Sequence, residues 1–215
     1  MRKTIFSIVI LIGLSSVALG GFQGTIMVDP GKPLLAHLQS GQIGSYEAGD
    51  SFFTFCLERT EKVQWSALYS FKTSMVAEGG GINVPDGSGD PLSHEAAFLY
   101  AGFLDKSLPG FAENESFYNA VQYAIWKLEG ELNWDPTLDS ANLVALAQQE
   151  VLNGWVNKSI MVVNPVELIG GEYVPRQSFL ARAPIVPAPN AIFLGSSGIV
   201  LVGWVRRRRS KPWLS

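Results

Sequence analysis

The sequence predicts an α+β domain, a β-sandwich or β-barrel-like body with an inserted group of helices, lying between a cleaved N-terminal signal peptide and a short C-terminal apolar helix. Three observations lead to this reading. Segments with strand character open and close the central region, residues 21–185. Three segments of helical period lie consecutively between them. Both chain ends read as export segments, which are set aside before the fold is considered. Strands first, helices in the middle and strands last is the order of an α+β domain or a helix-decorated sandwich.

The elements follow in order. Phe22 to Val28 has strand character and runs into Asp29-Pro30-Gly31-Lys32-Pro33, a turn by composition. Ser51 to Glu58 is rich in aromatics and reads as a strand, as does Trp65 to Val76, where Leu68, Phe71 and Met75 alternate with polar residues. Glu78 to Gly89 is a glycine-rich loop. Ser93 can cap a helix through Phe103, and Asn114 a second from Glu115 to Glu129, stopped by Gly130. A third runs from Asp139 or Ser140 to Asn153, with Gly154 after it. Ile160 to Val163 and Gln177 to Ala181 read as closing strands, and there is no internal repeat.

The ends are distinctive. Met1-Arg2-Lys3 is a basic start, Thr4 to Val17 is apolar, and Ala18-Leu19-Gly20 supplies small residues for cleavage, so 1–20 reads as a secretory signal peptide. At the other end, residues 186–215, Val186-Pro187-Ala188-Pro189-Asn190 precedes the apolar run Ala191 to Val205 and then Arg206, Arg207, Arg208 and Arg209. At 1.5 Å per residue that run makes a helix of roughly 22 Å, short of the ~30 Å hydrocarbon core. The arginines would hold its end at the cytoplasmic face. The arrangement resembles the PEP-CTERM sorting signal of Gram-negative bacteria, with Ala188 where glutamate is commonest. That resemblance implies an exosortase as partner, a transient inner-membrane stage through 191–205, cleavage near Pro187 to Asn190, and display at the cell surface or in extracellular matrix.

Once the ends are removed, nine basic and nineteen acidic side chains remain, a formal charge of −10. Such a domain repels nucleic acid and anionic membranes, which excludes both as lasting partners. Its single cysteine, Cys56, is unusual for an exported chain, where cysteines come in pairs or not at all. A lone thiol there is buried, paired between chains or chemically committed. In the second helix Tyr118, Gln122 and Trp126 are four apart and share a row beside the apolar line Phe117, Val121, Ile125 and Leu128. An amide between two aromatic rings is a candidate buried hydrogen-bonding group, or simply a satisfied core residue.

Phe55-Cys56-Leu57-Glu58, then Val121-Gln122-Tyr123-Ala124-Ile125-Trp126, then Arg176-Gln177-Ser178-Phe179-Leu180 resemble, in this order, the motifs of the thioester domains of bacterial surface adhesins. The resemblance covers Ser51 to about Leu180. It implies an internal thioester between Cys56 and the carboxamide of Gln177, with Gln122 as the alternative partner. In this comparison Gln122, Trp126, Tyr118 and Glu58 support the site, with Gln122 bonded to backbone beside Cys56. Glu58 would orient the loop or handle a proton, or else be an ordinary surface carboxylate. The target would be an amine-bearing surface or matrix molecule, attached covalently in adhesion without enzymatic turnover or cofactor.

Other readings remain open. A passive surface or matrix protein would keep Cys56 buried and inert. A cysteine hydrolase would need His37 or His94 as base, and His94 at a helix start is poorly placed to become an imidazolium. Asp86-Gly87-Ser88-Gly89-Asp90 looks like a calcium turn but lacks the acidic spacing of an EF-hand loop, so no metal site is expected.

Overall fold

A computed structural model describes residues 22–79, 89–132 and 137–183. The segments expected to be signal peptide and sorting signal, and most of the glycine-rich loop, including Asp86 to Ser88 of the calcium-like turn, lie outside them. The described chain is an α+β domain, an antiparallel sheet of eight strands with three inserted helices.

The strands are β1 (Gly24–Asp29), β2 (Leu34–Ile43), β3 (Tyr46–Glu47), β4 (Ser51–Thr54), β5 (Leu68–Ser74), β8 (Ile160–Ile169), β9 (Glu172–Pro175) and β10 (Phe179–Arg182). A separate two-stranded ribbon, β6 (Val76–Ala77) and β7 (Asp90–Pro91), leads into the helices. The main order is β10-β8-β5-β1-β2-β3, with β4 also on β2 and β9 also on β8. Beyond β4 the chain keeps an extended course. Leu57 N–H donates to Ser178 O at 3.0 Å and Leu180 N–H to Phe55 O at 3.2 Å, so the β4 end of the sheet is bonded to β10.

Strand alternation divides the core in two. Ile26, Val28, Leu38, Phe71, Val163 and Phe179 pack on one face of the sheet, together with Cys56. Phe55, Leu57, Val162 and Leu180 face the other way, against the helices. The helices are α1 (His94–Leu104), α2 (Glu115–Leu128) and α3 (Leu138–Leu152). Ser93 Oγ accepts from Ala96 N–H at 3.1 Å, and Asn114 Oδ1 from Phe117 N–H at 2.9 Å, so both predicted caps are formed. Gly130 (φ 72°) takes the left-handed turn after α2, its N–H bonding Lys127 O while Glu131 N–H reaches Trp126 O at 2.8 Å. That is a Schellman stop, and it turns Glu131 back into the protein.

Several boundaries differ from expectation. The second aromatic strand stops at Thr54, and Cys56 pairs with Phe179 only as an isolated bridge. Gln177 precedes β10 and does not lie on it, because pairing with the Cys56 segment begins at Ser178. The expected strand from Trp65 narrows to β5, with the preceding residues in a turn. β8 continues six residues past Val163 through Pro165, to Ile169. The helix expected from Asp139 or Ser140 starts at Leu138, and Thr137 makes no side-chain cap bond.

Core truncation should separate these layers from the surface. Phe71→Ala, at a fully buried ring, is expected to lower unfolding free energy by about 3–5 kcal/mol. Leu152→Ala, at a side chain 81 % exposed, should stay within about 0.5 kcal/mol. Urea unfolding of the two variants checks the assignment.

Candidate functional site

Cys56 is placed by three segments. Its own stretch is extended between the sheet and the helices, so alternation turns Phe55 and Leu57 to the helices and Cys56 to the sheet core. On one side lies the Ser178–Leu180 stretch. On the other, α2 presents Gln122, whose Oε1 accepts from Cys56 N–H at 3.0 Å and whose Nε2 donates to Cys56 O at 2.8 Å. Both halves of this carboxamide are therefore taken up by one residue's backbone, which would otherwise be buried and unpaired.

Gln177 lies on the opposite side of Cys56. Its side chain lies near enough to the Cys56 thiol to oppose the upward shift that burial gives that thiol, and its Nε2 donates to Glu58 O at 2.6 Å. Both Cys56 and Gln177 are 6 % exposed and line an open cavity of about 510 Å³. Gln122 lines it too, with Trp65, Tyr118, Tyr123 and Trp126 as aromatic walls and the loop residues Arg59 and Lys62 at its edge. The row Tyr118, Gln122 and Trp126 thus faces one space. Trp126 packs on the Cys56 core and its buried indole N–H makes no hydrogen bond, which marks a packing wall. Tyr118 stacks edge-on to Phe103, with centroids 5.8 Å apart.

Glu58 is not a surface carboxylate. It is 2 % exposed, with Oε2 accepting from Ser178 N–H at 2.6 Å and Oε1 2.8 Å from Ser178 Oγ. Gly79 covers it closely, since a Cβ there would come within 3.0 Å of Oε1. Burial, against the Ser178 hydrogen bonds, pushes the Glu58 carboxyl up to about 7. Burial likewise pushes the Cys56 thiol well above the usual range, with the Glu58 charge adding to it and the Gln177 contact opposing.

Sequence reasoning missed the surroundings of this carboxyl. Asn164, on β8, is buried and accepts at Oδ1 from Glu78 N–H at 2.9 Å and from Ser178 Oγ at 2.8 Å. Its Nδ2 donates to Ser74 Oγ and Val76 O. Glu131 accepts from Arg59 N–H at 3.0 Å and so fixes the loop after Glu58. Glu129, bonded to the Ser93 cap, is held at about 7 by burial. The only local signal for the last two was a carboxylate on each side of the Gly130 stop.

Neither histidine lines the cavity. His37 bonds Ser51 Oγ and Asp29, and His94 Nδ1 accepts from Asn157 N–H. Among the described residues no cluster of three or more His, Cys, Asp or Glu is placed to hold a metal ion. Comparison of the chain with family models, curated proteins and solved structures finds no match.

Two predictions follow from this geometry. Gln122→Ala strands the Cys56 N–H and C=O, each at a cost of about 1–3 kcal/mol, readable in urea unfolding. Glu58 and Glu129 have carboxyls raised from 4.5 to about 7 on folding. The folded state therefore binds more protons in that window, and stability should fall as pH rises from about 4.5 to about 7, then level off. Glu58→Gln should make that fall shallower in unfolding curves taken across the range.

Proposed function

We propose that this is an exported cell-surface or extracellular-matrix protein whose domain forms an internal thioester between Cys56 and Gln177 for covalent attachment to amine-bearing targets. The observation that carries the reading is that the only cysteine, bridged to Phe179, lies beside Gln177 in the wall of one open cavity. Gln122 is the weaker acyl donor, because both of its polar atoms are engaged by the Cys56 backbone. Its role is support.

The chemistry is acyl transfer. The Cys56 sulfur attacks Gln177 Cδ, ammonia leaves, and a later amine attacks the thioester to give an amide and a free thiol. The pairing of Phe55–Leu57 with Ser178–Leu180 sets Cys56 beside Gln177, and positioning of this kind is worth roughly 7–11 kcal/mol. The β4-to-β10 bonds support reading the sheet as barrel-like, with Cys56 facing the enclosed core. The sorting motif Val186, Pro187, Ala188 and Pro189, the apolar run and the Arg206 to Arg209 cluster support export, an exosortase partner and a passing inner-membrane stage.

A passive matrix role with an unreactive Cys56 is the second reading, favoured by one observation, the buried thiol raised well above its ordinary range. Intact mass decides between them. Freshly purified chain should be lighter than its sequence by one ammonia, and Cys56→Ala should not. Methylamine should then label Gln177 in peptide maps and release an alkylatable thiol. Full sequence mass with a free thiol in fresh material would leave only the passive role.

A further inference from the structure

Thioester formation moves a proton as well as an acyl group. The thiol loses one and the departing nitrogen gains one, so some group must carry it. Histidine is the usual carrier, and neither histidine lines the cavity.

One residue with a buried carboxyl, Glu58, is tied by its main chain to both ends of this transfer. Glu58 follows Cys56 by two residues, and its charge acts on the Cys56 thiol. Its main-chain carbonyl accepts from Gln177 Nε2 at 2.6 Å, so the nitrogen that would leave is held against this residue. Its side chain meets the Ser178 hydroxyl at 2.8 Å, and that hydroxyl also lies 2.8 Å from Asn164 Oδ1.

The hydroxyl has one proton for these two oxygens. Asn164 is fixed in orientation, since its Oδ1 takes Glu78 N–H and its Nδ2 gives to Val76 O. When the hydroxyl proton points to Asn164, the contact with Glu58 is completed by a proton on the carboxyl. When it points to Glu58, the carboxylate is bonded and the hydrogen bond to Asn164 Oδ1 is given up. The Glu58-Ser178-Asn164 chain therefore reaches either protonation state by turning one hydroxyl, with the Asn164 bond kept in the protonated state and released in the ionised one. That is what a proton carrier requires.

The geometry points to Glu58 as the proton carrier of the acyl transfer between Gln177 and Cys56, a catalytic group beyond the two that form the bond. This rests on the thioester reading above. In the forward step the Glu58 carboxylate takes the thiol proton, the sulfur electron pair forms the bond to Gln177 Cδ, and the carbonyl π pair moves onto Oε1. On collapse that pair returns, the C–N bond breaks with its electrons going to nitrogen, and Glu58 gives the proton to that nitrogen. Ammonia leaves and the carboxylate is restored. In aminolysis the attacking amine's proton passes to Glu58 and from it to the departing sulfur. Nothing is oxidised or reduced.

The groups facing Glu58 suit this role. Cys56 shares its segment, Glu61 acts on it from the following loop, and Glu129 couples to it from the end of α2. These neighbours are all acidic. Burial, opposed by the Ser178 hydrogen bonds and aided a little by Glu61, keeps the carboxyl near 7, where it can both take and release a proton.

The test uses the full chain with Glu58→Gln, Glu58→Asp and Ser178→Ala, sampled by intact mass at intervals after a short pulse of synthesis. Ammonia loss should slow about 10²–10⁴-fold in Glu58→Gln and recover in part in Glu58→Asp. Wild-type methylamine uptake, expressed per unprotonated amine, should rise through an inflection near pH 7. Ser178→Ala should move that inflection upward, because it removes a bond that favours the carboxylate. Wild-type ammonia loss together with an unchanged rate in Glu58→Gln overturns the carrier role and leaves the thioester standing. Full sequence mass in the wild type removes both. Should Glu58→Gln fail to fold, Ser178→Ala decides, and an unmoved inflection counts against Glu58.

Discussion

Everything around Cys56 depends on the antiparallel pairing of Phe55–Leu57 with Ser178–Leu180. Two main-chain hydrogen bonds, Leu57 to Ser178 and Leu180 to Phe55, join segments from opposite ends of the described chain. Because side chains alternate along extended backbone, this one register assigns every neighbour its side. Phe55, Leu57 and Leu180 go to the helices, while Cys56 and Phe179 go to the sheet core. Thr54 Oγ1 adds a bond of 2.6 Å to Leu180 O and pins the same register. A slip by one residue would turn Cys56 toward the helices and separate it from Gln177.

The helices act on this pairing through α2. Gln122 bonds both main-chain groups of Cys56 and replaces the strand partner that an isolated bridge does not provide. The helix end then contributes again, since the Gly130 stop returns Glu131 to the Arg59 amide. One helix thus holds the Cys56 segment at two points, three residues apart in sequence. The chemistry-bearing residues sit where a sheet edge, a loop and a helix are mutually constrained, the condition under which fixed geometry replaces a search for reactive contacts.

How much of this was legible in the sequence follows from the range of each determinant. Ser93, Asn114 and Gly130 announce helix ends by bonds made within a few residues, and they form as read. Tyr118, Gln122 and Trp126 share a face through helical spacing alone. β2 went unread because Leu34–Ile43 alternates only through Leu38 and then turns polar at Gln39-Ser40-Gly41-Gln42. β8 seemed to end before Pro165, yet Pro165 O accepts from Arg176 N–H at 2.9 Å. The missing proline N–H faces that same side, where the partner strand changes from β10 to β9, so no ladder bond is lost. Glu58 was ambiguous for a stronger reason. Its burial is made by Ser178, Asn164 and Gly79, whose approach depends on the whole topology.

The raised thiol of Cys56 bears differently on the free and acylated protein. A free buried thiol that resists ionisation is a poor nucleophile when its proton must go to water. On the proposed mechanism the proton need not go to water, because a carboxyl near 7 lies where its charge acts on the sulfur. Once acylated, the sulfur carries no proton, and the burial that opposed the thiolate instead limits access of water to the thioester. In the proposed scheme, the same desolvation that makes Cys56 inert without a carrier makes its acylated form durable with one. On the proposed mechanism, reactivity at this site is governed less by the acidity of the thiol than by whether Glu58 can exchange a proton with it.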